Sequence, residues 1–126
     1  MGTRSLTVFT DSNKEIVVMY RQSDGYLEGH GKELADFLKN KTIVNGISGD
    51  ENMIFNGMGC LTASVVAKFK EGVGGIYLHP AGTRGQEYTY FVSGKVGEEP
   101  HIKIQDFDGP ASEYQEWLDE SEEEGK

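Results

Sequence analysis

The sequence predicts a single α+β domain, with about five strands in the order ββααβββα forming one mostly antiparallel sheet and helices packed on it. Three observations predict it. Two runs near the N-terminus carry apolar residues on both faces, as buried strands do. Two later segments repeat apolar residues at helical spacing and stop at Asn or Gly. Three further strand-like runs are joined by short links, which favour an antiparallel meander. The 126 residues suffice for one domain with a modest core, expected over residues 1–119.

In chain order, residues 5–10 alternate Leu6, Val8 and Thr10 against Thr7 and Phe9. Asp11-Ser12-Asn13-Lys14 signals a turn, and residues 15–21 follow with Ile16, Val17, Val18, Met19 and Tyr20, so the pair reads as a buried hairpin. Gly25, Gly29 and Gly31 break the next stretch into a loop. A helix is expected over 32–39, where Leu34, Phe37 and Leu38 share a face and Asn40 supplies a stop. Residues 44–59, rich in Gly, Asn and Asp, read as a long loop with at most one short strand. A second helix is expected over 60–70 from Leu61, Val65 and Phe69, ended by Gly72. Strands are expected at 75–79, 87–92 and 101–105. Pro110 is expected to open a last helix, with Ser112 and Gln115 as a capping box and Tyr114, Trp117 and Leu118 as its apolar stripe. Residues 120–126 are expected to fray as an acidic tail.

Charge and cysteine content exclude several classes. The net charge is -9, and the stretch 113–126 holds seven acids and one Lys, so the body is nearly balanced. Direct binding to nucleic acid or to an anionic membrane needs basic surface and is not expected. One Cys and three scattered His leave no disulfide framework and no metal site, and no cofactor is indicated. No apolar run approaches 18 residues and the first ten residues lack a signal-peptide pattern, so a cytoplasmic location is expected.

Four segments carry residues suited to chemistry. In Asn56-Gly57-Met58-Gly59-Cys60, two glycines before a helix could turn backbone N–H groups toward an anion, or could simply make a tight loop. Cys60 at a helix start would make a nucleophile if His79 or His30 served as its base; otherwise it is a small residue at the head of a core helix. Tyr20-Arg21-Gln22-Ser23-Asp24-Gly25-Tyr26, followed by Gly29-His30-Gly31, is a dense polar and aromatic cluster at a strand end. There Arg21 could fork onto a carboxylate or phosphate, Gln22 and Asp24 could read a polar edge, and Tyr26 could stack. The alternative is that Arg21 and Asp24 brace the turn. Finally, Arg84 in the loop after His79, and Arg4 ahead of the first strand, are candidate anion clamps.

Together, Met1-Gly2-Thr3-Arg4-Ser5, the Tyr-Arg-Gln-x-Asp-Gly-Tyr segment, Gly29-His30-Gly31, Asn56-Gly57-x-Gly59-Cys60 and Tyr77-Leu78-x-Pro80 resemble a group of small phage and bacterial proteins with no assigned activity. The resemblance extends to about Val92. It implies a viral or mobile-element setting, where small acidic proteins bind and block a host protein or sequester a host signalling molecule. The leading expectation is therefore a binding module without chemistry, its ligand polar or anionic, nucleotide-like or a segment of a host protein. Arg4, Arg21, Gln22, Asp24, Tyr26, His30, Asn56, Gly57, Gly59 and Arg84 are expected to converge on one pocket. A small hydrolase or transferase using Cys60, and an inhibitor pressing its acidic last helix on a basic host surface, are the alternatives.

Overall fold

The computed structural model describes residues 2–46 and 53–124; the middle of the expected loop at 44–59 and the last two residues of the expected tail lie outside the described residues. The fold class is the one the sequence predicts, a single mostly antiparallel α+β domain, with more strands than expected. Six strands form the main sheet: β1 (Ser5–Asp11), β2 (Lys14–Arg21), β5 (Ile76–His79), β6 (Tyr88–Ser93), β7 (His101–Ile104) and β8 (Phe107–Pro110). Their spatial order is β5-β2-β1-β6-β7-β8. Two three-residue strands, β3 (Thr42–Val44) and β4 (Ile54–Asn56), pair in parallel beside it.

β1 and β2 form the expected hairpin, turning through Ser12 at φ 51° and Asn13 at φ 69°, the left-handed pair that matches strand twist. β1 also pairs with β6, in parallel, so it is central. Both of its faces are covered. Phe9, with Met19, Tyr90, Val92, Ile102 and Ile104, faces the helices, where it meets Leu34 and Leu38 of α1 (Lys32–Leu38), Leu61 and Val65 of α2 (Gly57–Phe69), and Tyr114 and Leu118 of α3 (Tyr114–Glu124). Leu6, Val8 and Val18 form a second cluster on the opposite face with Tyr20 and Phe91. Residues 80–87 must cross β2 and β1 to link β5 to β6. Arg84 of this crossing lies 5.2 Å from the Phe91 ring centroid and pairs with Glu15 of β2.

Both sheet edges are blunted. Gln22 N–H donates to Gly75 C=O, so the antiparallel alternation turns the outward groups of β5 to Ile76 and Leu78. Lys70 Nζ occupies the Ile76 carbonyl at 3.0 Å, and Ile76 N–H donates to Gly74. On β8 the same alternation leaves Asp108 and Pro110 outward, and Pro has no N–H to offer.

Several boundaries differ from expectation for identifiable reasons. β8 is not among the expected strands, because Gly109 and Pro110 resemble turn residues; Pro110, expected to open the last helix, instead ends the edge strand. A short 3₁₀ turn, Ala111–Glu113, precedes α3, and Ser112 hydrogen-bonds Glu99 through both its backbone N–H and its hydroxyl rather than forming a capping box. α2 begins at Gly57, three residues before the expected start, because glycines in its first turn hide the helix from propensity. α3 is helical to Glu124. Among the described residues no helix is long and apolar enough to cross a membrane.

Two glycines separate packing from conformation. A Cβ on Gly31 would lie 2.1 Å from Tyr114 Oη and 2.8 Å from its Cζ, whereas one on Gly59 would meet nothing within 4 Å. Gly31→Ala is expected to lower unfolding free energy by about 1–3 kcal/mol. Gly59→Ala, inside a helix, should raise it by roughly 0.5–1 kcal/mol. Urea titration of both variants checks the pair; a Gly31→Ala protein as stable as the parent would contradict the packing described.

Candidate functional site

The dense cluster at the end of β2 is a closed hydrogen-bond network. After Arg21 the chain turns at Asp24, whose φ is 59°, and a single π-helical turn, Leu27–Gly31, leads into α1. Asp24 C=O accepts the His30 N–H at 2.7 Å, and Gly25 N–H donates to Thr3 C=O at 2.8 Å. Tyr90 Oη donates to Gly25 C=O and Tyr114 Oη to Leu27 C=O. This segment seals the end of the inner core, which explains its glycines. Cβ atoms at Gly25 and Gly29 would come within 2.6 Å of Ser5 Cβ and 2.4 Å of Asp24 C=O.

His30 sits under the seal with no exposed surface. Arg21 Nη1 lies 3.1 Å from His30 Nδ1, and Thr7 Oγ1 lies 2.7 Å from Nε2. A guanidinium can only donate, so Nδ1 must carry the lone pair and Nε2 the proton, which it gives to Thr7. Burial, and then the charge of Arg21, push the imidazole pKa down to about 3. The ring is edge-on to Tyr90 at 5.1 Å and packs on Phe69. Arg21 stacks over Phe69 at 5.4 Å and reaches Glu33 at 3.4 Å and Asp24 at 3.9 Å. Glu33 is half exposed, so that pair contributes at most about 1 kcal/mol; the bond to buried His30 is the stronger tie.

The expected shared pocket is divided into three places. Arg21, Asp24, His30 and Tyr26 lie at the C-terminal end of α2, beside Phe69. Asn56, Gly57 and Gly59 lie at its N-terminal end, and thirteen residues of helix set the two ends about 19 Å apart. Arg84 is on the far face of the sheet, held by Glu15 at 2.5 Å. Arg4 and Gln22 are exposed neighbours where β1 and β2 begin and end; Gln22 is bound through its backbone to Gly75. Sequence reasoning missed Thr7, Glu33, Phe69 and Tyr90. Thr7 alone left a trace, as a polar residue on the inward face of an apolar strand.

The proposed Cys60 nucleophile is not assembled with an imidazole. Cys60 is exposed in the first turn of α2. His30 is buried beside Phe69, nine residues and about 13 Å further along that helix. His79 is exposed on edge strand β5, edge-on to Tyr20 at 5.7 Å.

The glycine segment does border a cavity. A cleft of about 800 Å³ opens between the β1–β2 turn, β3, the first residues of α2 and the loop after β6. Ile43 and Met58 form its apolar floor, and Ser12, Asn13, Asn45 and Ser93 give it polar walls. Gly94 lets the floor close in, since a Cβ there would lie 1.9 Å from Ile43 Cδ1. Asn56 Oδ1 accepts the Gly46 N–H and so faces its own loop. The walls carry Asp11 and Glu98 against Lys95, while Glu99 is engaged by Asn40 and Ser112.

Two outcomes follow for the sealed end. Arg21→Ala leaves a buried imidazole nitrogen without its donor and should cost about 1–3 kcal/mol by urea unfolding. Because the folded His30 binds its proton less readily than the unfolded one, its contribution is complete above pH 6.5 and is lost as pH falls toward 3. Between pH 6.5 and 5, above most carboxylates, stability should therefore fall more steeply in the parent than in His30→Gln, by up to about 1.4 kcal/mol per pH unit. Parallel pH profiles for the two proteins would contradict the buried neutral imidazole. Comparison of the chain with protein-family models, with curated proteins and with solved structures finds no match.

Proposed function

We propose that the protein is a small accessory binding module that captures a polar ligand, without catalysis, in the cleft over the head of α2. One observation carries this reading: a cleft of about 800 Å³ combines an apolar floor with polar walls and includes Gly57 of the glycine segment ahead of α2. The candidate catalytic groups point the same way, because the buried imidazole has both nitrogens committed and the exposed thiol lies about 13 Å away along α2.

The charges of the cleft decide between ligand classes. A helix start offers roughly half a positive charge. Asp11, Glu98 and Glu99 offset more than that, with Lys95 returning one charge. A neutral polar ligand, such as a nucleoside or a polyol, suits the cleft better than the anion considered from sequence. The resemblance to phage and bacterial proteins would put this role in the cytoplasm of a host cell, with a host molecule or a segment of a host protein as the natural ligand.

A thermal-shift screen of neutral polar compounds against nucleotides and phosphate tests the reading, since a ligand held only by the native state raises its stability by about 2.7 kcal/mol at a hundred times Kd. Asn45→Trp, on the exposed rim, should leave the unliganded melting temperature unchanged and abolish the response. A hit that keeps its effect in Asn45→Trp would place binding elsewhere and defeat the proposal.

A further inference from the structure

β5 and β6 run parallel, yet the link between them contains no helix. Residues 80–87 return over β2 and β1 on the face away from the helices, above the buried side chains of Leu6, Val8 and Val18. Three steps between strands and three residues back along them come to roughly 18 Å. Eight extended residues can span up to about 26–29 Å, so the link has slack. Its grip on the sheet is concentrated on one side chain. Gly82 N–H donates to Glu15 Oε1 at 2.8 Å, and Arg84 forks onto the same carboxylate at 3.3 and 2.5 Å. From Pro80 to Gln86, the other hydrogen bonds among the described residues stay inside the segment or reach Thr89 at its end. Arg84 stands between Gly82 at φ 90° and Gly85 at φ 122°. A Cβ on either glycine would meet nothing within 4 Å, so both serve backbone rotation and not packing.

We infer that residues 80–87 are a strap latched by Glu15, which swings out on Gly82 and Gly85 while the sheet stays paired and so uncovers the apolar strip of Leu6, Val8 and Val18. Three donors share one carboxylate, so its loss frees the backbone and the guanidinium together. The latch is within reach of competing water, with the Glu15 side chain 27% and the Arg84 side chain 43% exposed. Nothing else has to break. β5 keeps its register with β2, and β6 keeps its places between β1 and β7. The cover itself is thin: its apolar side chains are Pro80 and Ala81, with the stem of Arg84 lying on Phe91. A segment with few apolar contacts and one tie opens before the strands beneath it.

Thiol labelling of the folded protein with dithionitrobenzoate tests the strap. In a Cys60→Ser background, Val18→Cys places one thiol under the strap and Val92→Cys places one under the helices. Val18→Cys should be labelled several-fold faster than Val92→Cys. Adding Glu15→Gln should raise the first rate several-fold further and leave the second unchanged. Trypsin should likewise cut after Arg84 several-fold faster in Glu15→Gln than in the parent, with cutting after Arg21 in β2 unchanged. Should Glu15→Gln fail to fold, Arg84→Gln removes the fork from the other side and is read by the same labelling. Equal labelling at the two positions means that Val18 is reached only by global unfolding, and overturns the strap. A Glu15→Gln rate equal to the parent's at Val18→Cys, or raised equally at both positions, overturns the latch.

Discussion

Burial of β1 on both faces is the constraint around which the rest of the molecule is arranged. A strand read as Leu-Thr-Val-Phe cannot leave either side in water, so each face needs a cover. The helices supply one. The other is a crossing loop, residues 80–87, pinned by Arg84 between Glu15 and the Phe91 ring. With both broad faces of its central strand occupied, the sheet has its open surface toward its ends and edges. The two ends are finished differently: one is sealed by the segment after β2, and the other opens into the cleft.

The seal shows why polar density is a poor guide to a binding site when it stands alone. Arg21, Asp24, His30 and the glycines around them are closely spaced in sequence because the chain must fold back tightly over the core at that point. Each polar group there answers another: guanidinium to imidazole, imidazole to Thr7, tyrosine hydroxyls to carbonyls of the turn. A buried network of this kind stabilises only when every member is satisfied. The Ser5 hydroxyl is the one buried side-chain oxygen among the described residues without a partner.

What was legible in the sequence was set by local pattern. The hairpin, both longer helices and the strands at 76–79, 88–93 and 101–104 announce themselves through spacing of apolar residues and turn chemistry. β3 and β4 are too short to show a period, and β8 carries Gly109 and Pro110, which normally mark a turn. The site was harder. That Arg21, Asp24 and His30 meet could be read from their proximity along the chain. That Gly57 and Arg84 stand apart from them could not, because the separation depends on the length and direction of α2 and on which face the crossing loop takes. Thr7 and Glu33 were missed because their partners are long-range: nothing local to either residue points to an imidazole or a guanidinium.

The edges limit the kind of partner this fold can accept. Strand addition needs a row of outward N–H and C=O groups. On β5, Lys70 and the Gly74 turn occupy the groups of Ile76, leaving Leu78 as the residue with both groups outward; on β8 only Asp108 has both, since Pro110 lacks the donor. One residue at each edge gives too few bonds to seat a strand. Strand addition at either edge of the six-stranded sheet is therefore disfavoured. The cleft at the open end is built from side chains and loops instead, with walls drawn from the β1–β2 turn and the loop after β6 and a floor fixed by two core residues, Ile43 and Met58. A rigid floor under loop-built walls allows the walls to change in sequence without disturbing the core on which they stand.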